Sequence, residues 1–156
     1  MGQITRNSKV INATAETIYR AFTSPTALEV WQAPGDMTAK VHNFDLRVGG
    51  GYEMSLFYPD SEKVMEGKTQ GKEDRFTAKF IELIQNKKIV QAVNFESPNP
   101  DFSGEMIIEI TFEPKENGTN VTYFFRDIPK GIRPEDNEAG TISTLEKLAR
   151  YVEYNK

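Results

Sequence analysis

What most constrains this chain is a run of alternating residues that ends in a turn built for positive φ. Met106, Ile108, Ile110 and Phe112 alternate with Ile107, Glu109, Thr111 and Glu113. That period of two marks a strand with one face buried and the other half exposed. Glu116-Asn-Gly-Thr119 follows, and Asn-Gly is the pair that a two-residue hairpin turn prefers. Beyond it Val121, Tyr123 and Phe125 share one face of the next strand. One hairpin cannot bury its own apolar face, so neighbouring strands and a covering layer have to come from the rest of the chain.

The strands are there to be read. Residues 39–46 and 50–58 flank Gly49-Gly50-Gly51, a run that permits a tight reversal or bulge. Tyr52, Met54, Leu56 and Tyr58 line one face of the second strand. A polar stretch from Pro59 to Asp74 separates this pair from residues 75–84 and 88–96, which pair across Gln85-Asn86-Lys87. Ser97-Pro-Asn-Pro-Asp101 then interrupts the sheet, and residues 3–12 supply a first strand ahead of everything else.

The covering layer is helical. Thr14 suits the N-cap of a helix reaching Phe22, with Ile18, Ala21 and Phe22 on its apolar stripe. Ser24-Pro25 restarts the chain as a second short helix through Leu28 and Trp31, ending before Pro34-Gly35. Pro134-Glu-Asp-Asn-Glu138 opens the longest helix, placing acids where its dipole favours them. Ile142, Leu145, Leu148, Ala149 and Val152 form its stripe. Strand, two short helices, some six strands in succession and a long helix make an α+β arrangement with an antiparallel sheet. The 156 residues fit a single domain, 1–156. About 70% of the extended surface disappears when a chain of this size folds, enough for a core with room for a cavity.

Charge and composition exclude several chemistries. Nineteen Lys and Arg against 23 Asp and Glu give a net charge of −4, without the basic stripe that nucleic-acid binding needs. Cysteine is absent, which removes disulfides, thiolate nucleophiles and cysteine-based zinc sites. His42 is the only histidine, and no Gly-x-Ser-x-Gly elbow presents a serine to it. Lys68-Thr69 lacks the upstream glycine of a phosphate loop, and Gly49 to Gly51 lacks dinucleotide spacing. No window approaches a membrane span, and the N-terminus carries no signal-like apolar core. The expectation is a cytoplasmic protein with no cofactor, no metal and no catalytic constellation.

Several segments match one superfamily. Ile11-Asn-Ala-Thr-Ala-Glu-Thr-Ile-Tyr-Arg-Ala-Phe-Thr-Ser-Pro-Thr-Ala-Leu-Glu-Val-Trp31 resembles the opening of the START-like (SRPBCC) superfamily. Asp45-Leu-Arg-Val-Gly-Gly-Gly-Tyr52 is similar to a strand turn of the branch named after the heat-shock-protein-90 ATPase activator. Phe80-Ile-Glu-Leu-Ile84, Ile110-Thr-Phe-Glu-Pro114 and the terminal Gly140 with Leu145 and Leu148 also fit. The resemblance implies the helix-grip fold of START and birch-allergen type: a curved antiparallel sheet of six to seven strands around the C-terminal helix, enclosing a cavity. It also implies a small hydrophobic ligand, a polyketide-cyclase activity, or a co-chaperone role tied to the stress response. One departure stands out. Where relatives often have Gly-Trp near the start of the last helix, this chain has Gly140-Thr141, a smaller pair that either enlarges the cavity or is compensated by a neighbour.

The cavity candidates follow from strand faces and helix stripes. From the second helix and the middle strands come Trp31, Tyr52, Met54, Phe76, Phe80 and Phe95. The last hairpin gives Met106, Ile108, Tyr123 and Phe125, and the last helix gives Ile142, Leu145 and Leu148. These residues serve equally well as a ligand pocket or as ordinary close-packed core. Arg75 and Arg126 would be clamps for an anion if buried, and the tyrosines would orient a ligand oxygen. Glu53, Glu105 and Glu109 form no recognisable carboxylate pair. The expected function is binding of a small hydrophobic or aromatic ligand by a non-catalytic carrier or sensor. The alternatives are a protein-interaction module regulating a chaperone ATPase and a polyketide-cyclase-like enzyme.

Overall fold

The computed structural model describes residues 3–33, 36–57, 73–97 and 99–154. Seven strands form one antiparallel sheet: β1 (Gln3–Ile11), β2 (Thr38–Asp45), β3 (Gly51–Phe57), β4 (Glu73–Ile84), β5 (Lys88–Phe95), β6 (Met106–Lys115) and β7 (Gly118–Ile128). Their order across the sheet is β1-β7-β6-β5-β4-β3-β2, so the first two strands in sequence are its two edges. Helices α1 (Ala15–Phe22), α2 (Pro25–Trp31) and α3 (Pro134–Tyr154) complete the chain. All of them pack their buried residues into the core cluster on one face of the sheet.

Local chemistry sets these boundaries. The Thr14 hydroxyl accepts from the Thr17 backbone N–H at 3.1 Å, and Ser24 does the same for Ala27 at 3.3 Å, each satisfying an amide that a helix start leaves without a partner. The β6–β7 turn needs Gly118. Its φ is +146°, and a Cβ there would sit 2.0 Å from the Ile11 carbonyl oxygen of β1. Asn86, at φ +63°, turns β4 into β5. A bulge between Phe80 and Glu82 and a register shift between His42 and Asp45 bend the middle of the sheet.

Strand β4 begins at Glu73, two residues earlier than its alternation suggests, and Asp74 is 1% exposed within it. Asp74 pairs across from Leu56, so the sheet extends into a segment that its polarity marks as loop. Tyr58, Lys68 and Thr69 lie outside the described residues.

Helix α3 runs along β1. Asn137 Nδ2 donates to Thr5 Oγ1 at 2.8 Å near its start, and Glu153 Oε2 accepts from the Asn12 N–H at 3.1 Å near its end. The helix rises ~24 Å between those points and the strand ~23 Å, so one clamp at each end fits both. The Lys147 ammonium donates to the Ala33 carbonyl at 2.5 Å, tying α3 to the chain that leaves α2. Glu29 of α2 in turn accepts from the Val41 N–H of β2 at 2.8 Å.

Candidate functional site

A cavity of about 270 Å³ lies between the sheet and the first half of α3. The strands contribute Phe76 from β4, Gln91 and Val93 from β5, Met106 and Ile108 from β6, and Tyr123 and Phe125 from β7. Leu56 and Phe95 close one side. Facing them, α3 presents Asp136, Asn137, Gly140, Thr141 and Thr144, with Ile132 just ahead of its N-terminus. Gln32, just past α2, completes the wall. Space remains because α3 brings small residues to this wall. A Cβ built on Gly140 meets nothing within 4 Å.

The sequence candidates divide into two groups and one exception. Phe76, Phe95, Met106, Ile108, Tyr123 and Phe125 line the cavity. Trp31, Tyr52, Met54, Phe80, Leu145 and Leu148 are buried in the packed core beside it. Ile142 is a correction: it is 49% exposed and faces solvent. The helix advances about 100° per residue, so Thr141 falls at the centre of the stripe set by Leu145, Leu148 and Val152, and Ile142 falls at its margin.

Polar atoms collect where Gln32, Gln91 and Tyr123 approach the buried Tyr52 hydroxyl. Gln91, 4% exposed, donates its Nε2 to Tyr52 Oη at 3.4 Å, and the Gln32 amide acts on the same hydroxyl. The Gln32 Oε1 atom is buried and has no hydrogen-bond partner among the described residues. Tyr123 is 6% exposed, and its hydroxyl has no hydrogen bond among the described residues. Burial raises both phenols above their ordinary 10.0, Tyr123 well above it with the neighbouring Tyr52 adding to the effect. Both are neutral hydroxyls across the working pH range. Sequence reasoning missed Gln91, although a glutamine amid Ile89-Val90 and Ala92-Val93 is the kind of buried polar residue that carries information. Gln32, Ile132 and the Asp136–Asn137 pair left no comparable signal.

The remaining candidates sit elsewhere. Arg126 is exposed on β7. Arg75 is on the outer face, where its Nε donates to Ser55 Oγ at 3.2 Å and its guanidinium lies 3.9 Å from Glu53. His42 also reaches Ser55, with Nε2 3.2 Å from Oγ, so the single imidazole belongs to that outer-face network. Neither arginine lines the cavity. Glu105 and Glu109 lie on β6 and its approach, outside the lining. A wider depression of about 1040 Å³ beside the β6–β7 turn is open to solvent and edged by exposed residues such as Asn12, Lys115 and Glu116. Among the described residues no group of three or more His, Asp or Glu is placed to hold a metal, and no helix is long and apolar enough to cross a membrane.

A curved antiparallel sheet closed by a long C-terminal helix, with a pocket between them, defines a helix-grip protein of START type. The chain belongs to the family described as Activator of Hsp90 ATPase homolog 1-like protein, whose model matches residues 12–153. A crystal structure of a Chromobacterium violaceum protein is similar at 31% identity and TM-score 0.85, each chain covered to 96%. A Rhizobium loti protein shares the fold at 23% identity and TM-score 0.76, with 97% of each chain covered. So does an AHSA1-like protein of Aeromonas hydrophila at 20% identity and TM-score 0.74, covering 98% of this chain and 94% of that one. No curated protein matches the sequence.

Proposed function

We propose that the protein binds a small hydrophobic or aromatic molecule in the cavity under α3, as a carrier or sensor without catalysis of its own. The observation that carries this is the cavity's combination of size and lining: about 270 Å³, walled mostly by rings and aliphatic side chains with a few convergent polar atoms. An empty apolar space of that kind forfeits dispersion contacts, and a ligand of the right shape restores them.

Filling the cavity tests this directly. A panel of small lipids and aromatic compounds is screened by thermal shift on the wild type, on Thr141→Trp and on Ile108→Phe. A ligand present at 100 times its Kd adds about 2.7 kcal/mol to the folded state. The expected outcome is a subset of compounds that raise the wild-type midpoint and leave both filled variants unmoved. If no compound separates the wild type from the filled variants, the cavity is not a binding site.

Family membership favours a second reading, a protein-interaction module that regulates a chaperone ATPase, because the family description names such an activator. Leu46 and Val48 are exposed in the β2–β3 connection, whose Gly49 N–H bonds the Phe80 carbonyl next to exposed Ile81. A role resting on that surface survives Thr141→Trp, so the same variant separates the two readings. The cyclase reading has weaker support, since Arg75 and Arg126 stand away from the cavity.

A further inference from the structure

The polarity of the cavity wall says what kind of molecule fits, provided that the cavity binds a ligand as proposed above. Among the described residues Asp136, in the first turn of α3, is the one charged member of the lining, and no Lys, Arg or His joins it there. A carboxylate or phosphate drawn inside would lose its water without gaining a counter-charge and would sit in the field of Asp136. An ammonium group would reach Asp136 only at the mouth, leaving the interior to its apolar part.

Two kinds of wall atom are open to an occupant. Gln32 Oε1 is a buried acceptor with no donor among the described residues, and the Tyr123 hydroxyl, on a residue 6% exposed, makes no hydrogen bond among them and stays accessible from the cavity. The Thr144 hydroxyl, further along α3, makes no side-chain hydrogen bond among the described residues either, while three other polar groups of the lining are already engaged. Thr141 Oγ1 donates to the Asn137 carbonyl at 2.8 Å, Asn137 Nδ2 donates to Thr5, and Gln91 is bonded to Tyr52. A buried polar group left unmade costs more than the bond contributes when made. The occupant that relieves both sites carries one group that donates and accepts at once.

Size supplies the last constraint. An apolar cavity of about 150 Å³ takes one benzene, and this one is about 270 Å³, nearly twice as large. Its apolar walls at Phe76, Phe95 and Phe125 suit flat rings.

We infer that the cavity selects an uncharged molecule of about two fused rings bearing a single hydroxyl, seated with that hydroxyl between Gln32 and Tyr123. The test titrates the whole protein at pH 7 with three matched probes, followed by calorimetry and NMR: naphthalene, neutral β-naphthol and anionic β-naphthoate. β-Naphthol binds roughly tenfold more tightly than naphthalene, as one to two recovered hydrogen bonds require. β-Naphthoate binds at least tenfold more weakly than β-naphthol. Tyr123→Phe, which keeps the ring, brings β-naphthol to within about twofold of naphthalene, and Gln32→Met weakens it in the same direction. Naphthoate binding as tightly as naphthol, or an unchanged naphthol preference in Tyr123→Phe, overturns the inference. If all three probes bind equally and Thr141→Trp blocks them, the ligand-binding reading stands and only the polarity argument falls. If the screen yields a flexible alkyl ligand while all three ring probes fail, the size argument falls instead. If nothing binds at all, both fall together.

Discussion

At the end of the sheet where β6 turns into β7, aromatic rings meet edge to face. Phe22 lies 4.7 Å from Trp31 and 5.4 Å from Phe112, and Tyr19 lies 5.9 Å from Phe112. The Trp31 indole N–H is satisfied by the Ala21 carbonyl at 3.0 Å. At the opposite end of the same concave face, the rings of Phe76, Phe95 and Phe125 look across open space at Gly140 and Thr141. The strands are equally apolar at both ends; what differs is the helix laid over them. Helices α1 and α2 each deliver a large ring to the floor beneath them, whereas the first half of α3 delivers small and polar residues. A cavity in this fold is therefore made by what the helix omits.

That contrast can be broken most forcefully at the packed end. Trp31→Ala is expected to cost about 3–5 kcal/mol, since it opens a hole where none exists. Ile108→Ala, at the cavity wall, falls near the bottom of the ~2–5 kcal/mol range for such a truncation, because its neighbours on one side are already missing. Urea unfolding of both variants checks the order, and equal losses would mean that the two ends are packed alike.

Alkaline pH probes the same difference through the tyrosines. Tyr123 at the cavity wall is held further above 10.0 than Tyr52 in the packed cluster. The folded chain keeps protons there that the unfolded chain gives up, so this contribution is intact below pH 10 and declines as pH rises past it. One such proton is worth about 1.4 kcal/mol per pH unit. Tyr123→Phe is expected to flatten the alkaline loss of stability more than Tyr52→Phe does, as measured by urea midpoints from pH 9 to 12.

The smallest effect sharpens the argument about α3. Gly140 sits mid-helix with open space at its Cβ position, and glycine there costs roughly 0.5–1 kcal/mol relative to alanine. Gly140→Ala should raise the melting temperature by about 1–4 °C. A fall would show that the helix needs the glycine for close packing.

Much of the fold was legible in advance because its signals are local. The alternation of Met106 to Glu113, the Asn117-Gly118 turn and the Thr14 and Ser24 caps each act within a few residues, and the elements form where those signals stand. The start of β4 was obscured because Asp74 is polar yet buried, a condition that depends on residues far away in sequence. Ile142 misled for a related reason: an apolar residue at the margin of a stripe is turned inward or outward by the helix's rotation, which its clamps to Thr5 and Asn12 fix. For the cavity, Phe76, Phe95, Met106, Ile108, Tyr123 and Phe125 were readable as inward-facing, but not as distinct from Met54 or Phe80, which face the same way and are packed shut.

Sequence alone determined the order of elements, the antiparallel pairing of the central strands and the side of each strand that turns inward, since period, turn residues and caps are properties of short segments. Tertiary structure alone decided which inward residues border empty space and which polar atoms there lack partners. Those outcomes depend on the distance and rotation at which α3 settles over the sheet, quantities set by contacts between residues more than a hundred positions apart.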